Sequence, residues 1–249
     1  AGNGEMRFYN SLSKKVEEFK PIKPGEVKLY TCGPTVYDHV HIGNLRTYIF
    51  EDILRRSLKS AGHKLKHVMN ITDVDDKTIE RSRKGYPELE PNDALAKLTA
   101  KYEAIFYEDA NKVGIDFDNS KIVKATQHIK DMQVLINAIP YKYITDDGIF
   151  FNTLEYSNHN INERGGVPLY GVLAQTAVQG LATETQRTDR DEYEKHEAVD
   201  FTLWKVKKHR EPSWDFELDN KQMDGRPGWH IECSAMSVKY LGQPFDIHT

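Results

Sequence analysis

The feature that most constrains the fold is a strand–loop–helix–strand pattern near the N-terminus. A short β-rich segment, Val27 to Cys32, is followed by a Gly-Pro break and by apolar residues at helical spacing from Asn44 to Ala61. Gly62 predicts the helix end, and Lys64 to Asn70 predicts a second strand. Such a unit joins parallel strands by a right-handed crossover. The sequence therefore predicts an α/β fold with a doubly wound, Rossmann-like parallel sheet.

Further elements are predicted downstream of this unit. Helical spacing predicts helices from Pro91 to Gly114 and from Thr126 to Ala138, and Asp147-Gly148 predicts the turn of a β-hairpin. Residues 157–200 are polar and irregular, which is typical of a solvated insertion. The remaining predicted elements are a strand at 201–205, an amphipathic helix at 229–241 and a strand-like segment at 245–248.

The composition excludes several classes of protein. No apolar run in the sequence approaches the ~20 residues of a transmembrane helix, and the N-terminus lacks the basic and apolar regions of a signal peptide. We therefore expect a cytoplasmic protein with no membrane partner. The 34 basic and 38 acidic residues give a net charge of −4, so nucleic-acid contact would need a local basic surface. Two cysteines do not make a disulfide scaffold.

The loop between the first strand and its helix has the composition of a phosphate-binding site. It ends in His41-Ile42-Gly43-Asn44, where a helix N-terminus offers free N–H groups outside the carboxyl end of a strand. Gly43 allows a ligand to approach the backbone, and His41 and Asn44 can direct hydrogen-bond donors at the phosphates of ATP. Taken alone, these four residues also fit a helix start with a capping Asn and a surface His.

Four motifs, in this order, resemble those of the class I cysteinyl-tRNA synthetases. They occupy residues 30–48, 70–77, 200–205 and 225–236. His41, Ile42 and Gly43 match the first three positions of the family's HIGH-type motif, whereas Asn44 stands where the general class I pattern has His. The resemblance covers nearly the whole chain and is weakest over about residues 157–199 and 208–224.

This resemblance implies a ligase that activates cysteine with ATP and Mg²⁺ to cysteinyl-adenylate and passes the cysteinyl group to tRNA(Cys). By the same resemblance, His41 and Asn44 are catalytic, and Gly33 and Gly43 join them in binding ATP. We expect a monomer. Two alternatives stay open: a ligase that delivers cysteine from the same adenylate to a small amine, and a noncatalytic fragment or paralogue that only binds ligand.

The resemblance also implies a domain organisation. Residues 1–85 are expected to form the first half of a nucleotide-binding domain, residues 86–200 an inserted α+β connective subdomain, and residues 201–249 the return into the nucleotide-binding domain. The second phosphate-binding motif of the class and a helical anticodon-reading domain are expected beyond residue 249, so the chain is expected to be a part of a longer protein.

A zinc site is implied by the same family. Cys32 and Cys233 match two of its zinc ligands, and the other two, a His and a Glu, come from a segment expected beyond residue 249. Without the resemblance, two buried free thiols are the simpler interpretation. Zinc binds thiolate far better than hydroxyl and would thereby separate cysteine from serine, which a hydrophobic pocket does poorly.

Residues that match the family's cysteine-binding positions are Thr72, Trp229 and His248. Each also fits an ordinary structural role, namely a turn residue, a core aromatic and a surface residue at a strand end. Three aspartates near Thr72, at positions 73, 75 and 76, leave two interpretations open. Clustered carboxylates suit a magnesium ion, but they also cap helices at a strand end.

Overall fold

The computed structural model describes residues 6–159, 162, 170–171 and 200–249. The strands of these ranges are β1 (Arg7–Asn10), β2 (Lys15–Glu18), β3 (Glu26–Thr31), β4 (Lys64–Ile71), β5 (Ser120–Lys124), β6 (Lys142–Ile144), β7 (Gly148–Phe151), β8 (Thr202–Val206), β9 (Glu217–Leu218), β10 (Lys221–Gln222), β11 (Gly225–Pro227) and β12 (Ile247–His248). The helices are α1 (Ile42–Ser60), α2 (Asp76–Gly85), α3 (Pro91–Lys112), α4 (Ile129–Ala138), α5 (Thr153–Asn158) and α6 (Trp229–Leu241).

A four-stranded parallel sheet confirms the predicted α/β fold. Its strand order is β12-β3-β4-β5, and each neighbouring pair is parallel. Helix α1 joins β3 to β4, as the strand–loop–helix–strand pattern predicts. The sheet is covered by protein, since Val27, Leu29 and Tyr30 of β3 are fully buried. Both faces of the sheet are covered at β3, because the adjacent residues Leu29 and Tyr30, which point to opposite faces, are both buried.

The strand order changes direction beside β3. From β3 the chain proceeds to β4 and β5 on one side, and it returns through α6 to place β12 on the other side. In a doubly wound sheet, the crevice at this reversal, outside the carboxyl ends of the strands, is where ligands bind. Cys32 directly follows β3 and His248 ends β12, so both lie at this reversal.

A second, antiparallel sheet packs on the same core. Its strand order is β11-β8-β7-β6, and the predicted hairpin is its β6–β7 pair. One cluster of buried residues joins both sheets, with Val68 and Val123 from the parallel sheet and Leu203 and Trp204 from β8. The two sheets are therefore built around shared apolar contacts.

The sheets do not follow the expected domain boundaries residue by residue. Strand β5, within the range 86–200, belongs to the parallel sheet, and β8 and β11, within 201–249, belong to the antiparallel one. The division at residues 86 and 201 stays a prediction. Most of the polar range 157–199 lies outside the described residues.

Helix starts differ from the sequence prediction in two places. Helix α1 begins at Ile42, two residues earlier than predicted, because His41 caps it. The helix predicted from Thr126 begins at Ile129, since residues 125–128 form a 3₁₀ turn. Among the described residues, no helix has the length and apolarity needed to cross a membrane.

Candidate active site at the ends of the parallel strands

The N-terminus of α1 is capped by two side chains that bond to each other's backbone. His41 Nδ1 accepts hydrogen bonds from the backbone N–H of Gly43 at 3.1 Å and of Asn44 at 3.3 Å. In return, Asn44 Oδ1 accepts from the backbone N–H of His41 at 3.3 Å. This is the geometry of a capping box, with His41 rather than the expected Asn as the N-cap residue.

Capping fixes which atoms remain for a ligand. Because Nδ1 of His41 accepts N–H groups, a neutral ring carries its proton on Nε2, which is then a donor. Asn44 uses its oxygen in the cap and keeps its Nδ2 group as a donor. The capping and phosphate-binding interpretations are therefore compatible, since the cap consumes acceptors and a phosphate needs donors.

Two glycines of the predicted ATP loop are required by the protein's own packing. A Cβ on Gly43 would lie 2.9 Å from Cε1 of His41. A Cβ on Gly33 would overlap the backbone oxygen of Asn70 on β4. A contact of either glycine with ATP stays a prediction, because these steric reasons alone account for the residues.

The two cysteines meet at the end of β3. Their Sγ atoms lie 3.7 Å apart, although Cys32 follows β3 and Cys233 lies in α6. Two thiolates on one tetrahedral zinc ion, with Zn–S bonds near 2.3 Å, stand about 3.8 Å apart. The pair therefore fits a zinc ion as two of its ligands. Within the described ranges, no group of three or more His, Cys, Asp or Glu residues could hold a metal ion.

The two thiols of this pair have pKa values displaced in opposite directions. A hydrogen bond joins the two sulfurs, and either of them could donate it. This bond lowers the pKa of Cys32 although burial acts in the opposite direction. The same bond, together with burial, raises the pKa of Cys233 well above its ordinary value. Burial and the neighbouring Cys233 also raise the pKa of Tyr30 far above its ordinary value.

Asn70 connects the cysteines to the loop after β4. Its Oδ1 lies 3.7 Å from Cys233 Sγ and accepts the backbone N–H of Gly33 at 3.3 Å. Its Nδ2 donates to Thr72 Oγ1 at 3.2 Å. Sequence reasoning did not single out this residue, although it begins the second of the four motifs. Thr72, predicted to bind cysteine, is buried beside this network.

Trp229 and His248, the other two residues predicted to bind cysteine, are connected to the cysteine pair through neighbouring residues. Trp229 is the first residue of α6 and is 43% exposed, so it is not a core aromatic. It precedes Cys233 by one helical turn and shares its helix face. The His248 ring packs edge-on against Tyr30, with centroids 5.1 Å apart. These positions are compatible with a cysteine pocket, and the role of each residue in binding stays a prediction.

The three aspartates after β4 each have a structural partner. Asp73 accepts from the backbone N–H and the hydroxyl of Thr126, at 2.8 and 2.5 Å. Asp75 caps α2 by accepting the N–H of Thr78 at 2.7 Å. Asp76 binds two basic side chains of the second sheet. The capping interpretation is confirmed for Asp75, and burial raises the pKa of both Asp73 and Asp75.

Residues 18–249 match the family described as the tRNA synthetases class I (C) catalytic domain. The chain belongs to this family. Two curated relatives are a Cysteine--tRNA ligase from Koribacter versatilis, 43% identical over 246 residues, and one from Brachyspira hyodysenteriae, 45% identical over 249 residues. Each match covers 98% of this chain but 45% and 48% of the relatives. The chain thus spans about half the length of these relatives.

A solved structure supports the class I fold independently. The chain is similar to the Mycobacterium tuberculosis methionyl-tRNA synthetase, with a TM-score of 0.56 and 10% identity. The match covers 88% of this chain and 47% of that one. At this identity the likeness concerns the fold alone, and it agrees with the parallel sheet described above.

Proposed function

We propose that this chain is the cysteine-activating part of a cysteine–tRNA ligase. Cysteine and ATP, supplied with Mg²⁺, would form cysteinyl-adenylate and pyrophosphate, and the cysteinyl group would pass to the terminal ribose of tRNA(Cys). The observation that carries the proposal is the 3.7 Å pair of Cys32 and Cys233 at the strand reversal where a doubly wound sheet binds ligands. The cysteine–tRNA ligase relatives favour tRNA over a small amine as the acceptor.

Adenylate formation would depend mainly on electrostatic stabilisation. The substrate carboxylate attacks the α-phosphate of ATP, and negative charge develops on the phosphate oxygens. The Nε2–H of His41, the Nδ2 group of Asn44 and the N-terminus of α1 are donors suited to that charge. Their cap holds them in place before the substrate binds, so little reorganisation is needed in the transition state. No covalent intermediate with the enzyme is required.

Cysteine selection would rest on the sulfur pair. Cys32 and Cys233 would hold a zinc ion, which supplies direct recognition of the substrate thiolate when bound. Asn70 holds Gly33 and Thr72 beside the pair. Thr72, Trp229 and His248 would then line the space around the bound cysteine. A cytoplasmic location and a monomeric state belong to the same proposal.

The test uses the full-length protein that contains this chain. Cysteine-dependent ATP–pyrophosphate exchange should occur, and serine should support it poorly. Addition of tRNA(Cys) should yield cysteinyl-tRNA, whereas an amino sugar should accept no cysteine. Exchange without tRNA charging but with amine acylation would instead establish the small-amine ligase. Absence of cysteine-dependent exchange would favour the noncatalytic alternative.

A further inference from the structure

A buried arginine and a half-buried lysine of the second sheet share one carboxylate from the parallel-sheet side. Lys205 on β8 and Arg226 on β11 are directly opposite each other in the antiparallel register. Asp76, the first residue of α2, accepts from Lys205 Nζ at 2.8 Å through Oδ2 and from Arg226 Nη2 through Oδ1. The Arg226 and Lys205 side chains are only 3% and 14% exposed. We call these three residues the ion triad.

Asp76 is a shared counter-charge for the two cations of this arrangement. Like charges at directly opposite positions of a sheet repel, and burial strengthens the repulsion because the surroundings screen it less. Arg226 depends on Asp76 in particular, since its Nε and Nη1 atoms are buried without a hydrogen-bond acceptor in the described part of the chain. A neutral residue at position 76 would remove the carboxylate that the two neighbouring cations share.

The ion triad joins the two chain segments that carry the cysteine-pocket residues. Asp76 follows Thr72 by four residues, and Arg226 precedes Trp229 by three. The connection on the β11 side is tight, because a Cβ on Gly228 would overlap the backbone oxygen of Thr202 on β8. Because Arg226 lies three residues before the start of α6, a displacement of Arg226 would act on that start and on the helix that carries Cys233.

We propose that the ion triad is a positioning device for amino-acid binding. It sets the placement of the Thr72 loop relative to the start of α6, and so the width of the pocket between Thr72 and Trp229. Asp76, Lys205 and Arg226 act through these residues and need not touch the substrate. This inference rests on the proposed function, because it takes the space beside Thr72 and Trp229 as the cysteine pocket.

The test compares variants of the full-length protein in cysteine-dependent ATP–pyrophosphate exchange. Asp76→Asn should raise KM for cysteine between about 10-fold and 100-fold, because a small misplacement of binding groups has effects of that size. KM for ATP should stay within about twofold, since His41 and Asn44 lie at the N-terminus of α1, outside the ion triad. The double variant, with Lys205→Met added to Asp76→Asn, should recover part of the cysteine affinity, because the second substitution removes one of the two repelling cations.

A matched control is Lys239→Met on α6, whose exposed pair with Asp131 at 2.7 Å lies outside the ion triad. It should leave both KM values unchanged. The proposal is overturned if folded Asp76→Asn keeps its KM for cysteine, if both KM values rise equally, or if Lys205→Met gives no recovery. Should Asp76→Asn fail to fold, Asp76→Glu makes the same comparison, since it keeps the charge and displaces the carboxylate.

Failure of the proposed function has a different signature. Wild-type protein would then show no cysteine-dependent exchange, whereas the stabilities of Asp76→Asn, Lys205→Met and the double variant would still show the coupling within the ion triad. Active wild-type protein whose Asp76→Asn variant loses stability but not cysteine affinity would leave the proposed function standing and reject the positioning role.

Discussion

His41 and Asn44 each cap the other's backbone at the start of α1. His41 Nδ1 accepts the N–H of Asn44 and Asn44 Oδ1 accepts the N–H of His41, both at 3.3 Å. An amide suits this position because it provides an acceptor for the cap and a donor for a ligand at once. The departure from the HIGH-type motif at Asn44 therefore preserves the helix start and leaves the Nδ2 group as a donor for a ligand.

Substitution of His41 can separate its two roles. His41→Ala should lower the free energy of unfolding by about 1 kcal/mol, because the cap is lost. It should also slow ATP–pyrophosphate exchange by ~10²–10³-fold with little change in cysteine binding, since a lost donor acts on the transition state. His41→Asn is the matched control, because Asn is a good N-cap residue. It should recover the stability but not the rate.

The results that would contradict the predicted roles of His41 are equally specific. If His41→Asn restores the exchange rate together with stability, the histidine contributes only the helix start. If His41→Ala matches the parent rate, His41 has no part in the chemical step. Urea unfolding and exchange kinetics on the same preparations distinguish these results.

Replacement of Cys32 tests the zinc proposal. Cys32→Ser in the full-length protein should reduce zinc content and cysteine affinity together, because serine is a poor ligand where thiolate is used. Cys233→Ser should have the same effect, since the two sulfurs lie 3.7 Å apart. KM for ATP should change little. Zinc is measured by atomic emission, and both KM values by pyrophosphate exchange.

A Cys32→Ser variant with full zinc and normal cysteine activation would contradict the metal role. Selectivity would then have to come from packing around Trp229. Such a pocket separates similar small side chains by only about 1–3 kcal/mol, so activation of serine would be readily measurable in the parent protein.

How much of the fold is predictable depends on how apolar each element is. Strands β3 and β4 are evident because most of their buried residues are apolar. Helix α1 is evident from apolar residues at helical spacing, although it also buries Glu51, Asp52 and Arg55. Helix α2 is not, since it buries only Thr78, Ile79 and Ser82. Strand β5 is equally inconspicuous, because only Val123 in its short sequence is fully buried. Such elements form because tertiary contacts outweigh their weak local signal.

The candidate site, like the fold, was predictable only in part. The motif match places Cys32 and Cys233 in one pocket, and the structure brings them together. The partners of Asp73 and Asp76 were not predictable, because Thr126 and Arg226 lie 53 and 150 residues further along the chain. No local spacing encodes such a contact. Such a contact becomes evident only when the sheets have assembled.

Asp73 should affect stability rather than the magnesium requirement. Asp73→Ala removes both bonds to Thr126 and should lower the free energy of unfolding by about 1–3 kcal/mol. Thr126→Val in the Asp73→Ala background should cost much less than in the parent, because the shared bond is already lost. The magnesium dependence of exchange should be the same in parent and variant. A shifted magnesium requirement in Asp73→Ala would support the metal-ion interpretation instead.

Glu51 should make stability fall as the pH rises. This carboxyl is 2% exposed, and burial raises its pKa from 4.5 to about 7, against opposing hydrogen bonds from the hydroxyls of Thr249 and Thr31. Between those pH values the folded state binds more protons than the unfolded state, so Glu51 lowers stability progressively and does so fully above about pH 7. Glu51→Gln should therefore stabilise the protein by about 3 kcal/mol at pH 8 and by little at pH 5.

Glu80→Gln, at an exposed position on α2, is the control and should show no such gain. Urea unfolding across this pH range measures both, and an equal gain for Glu51→Gln at pH 5 and pH 8 would show that its charge is not the cause.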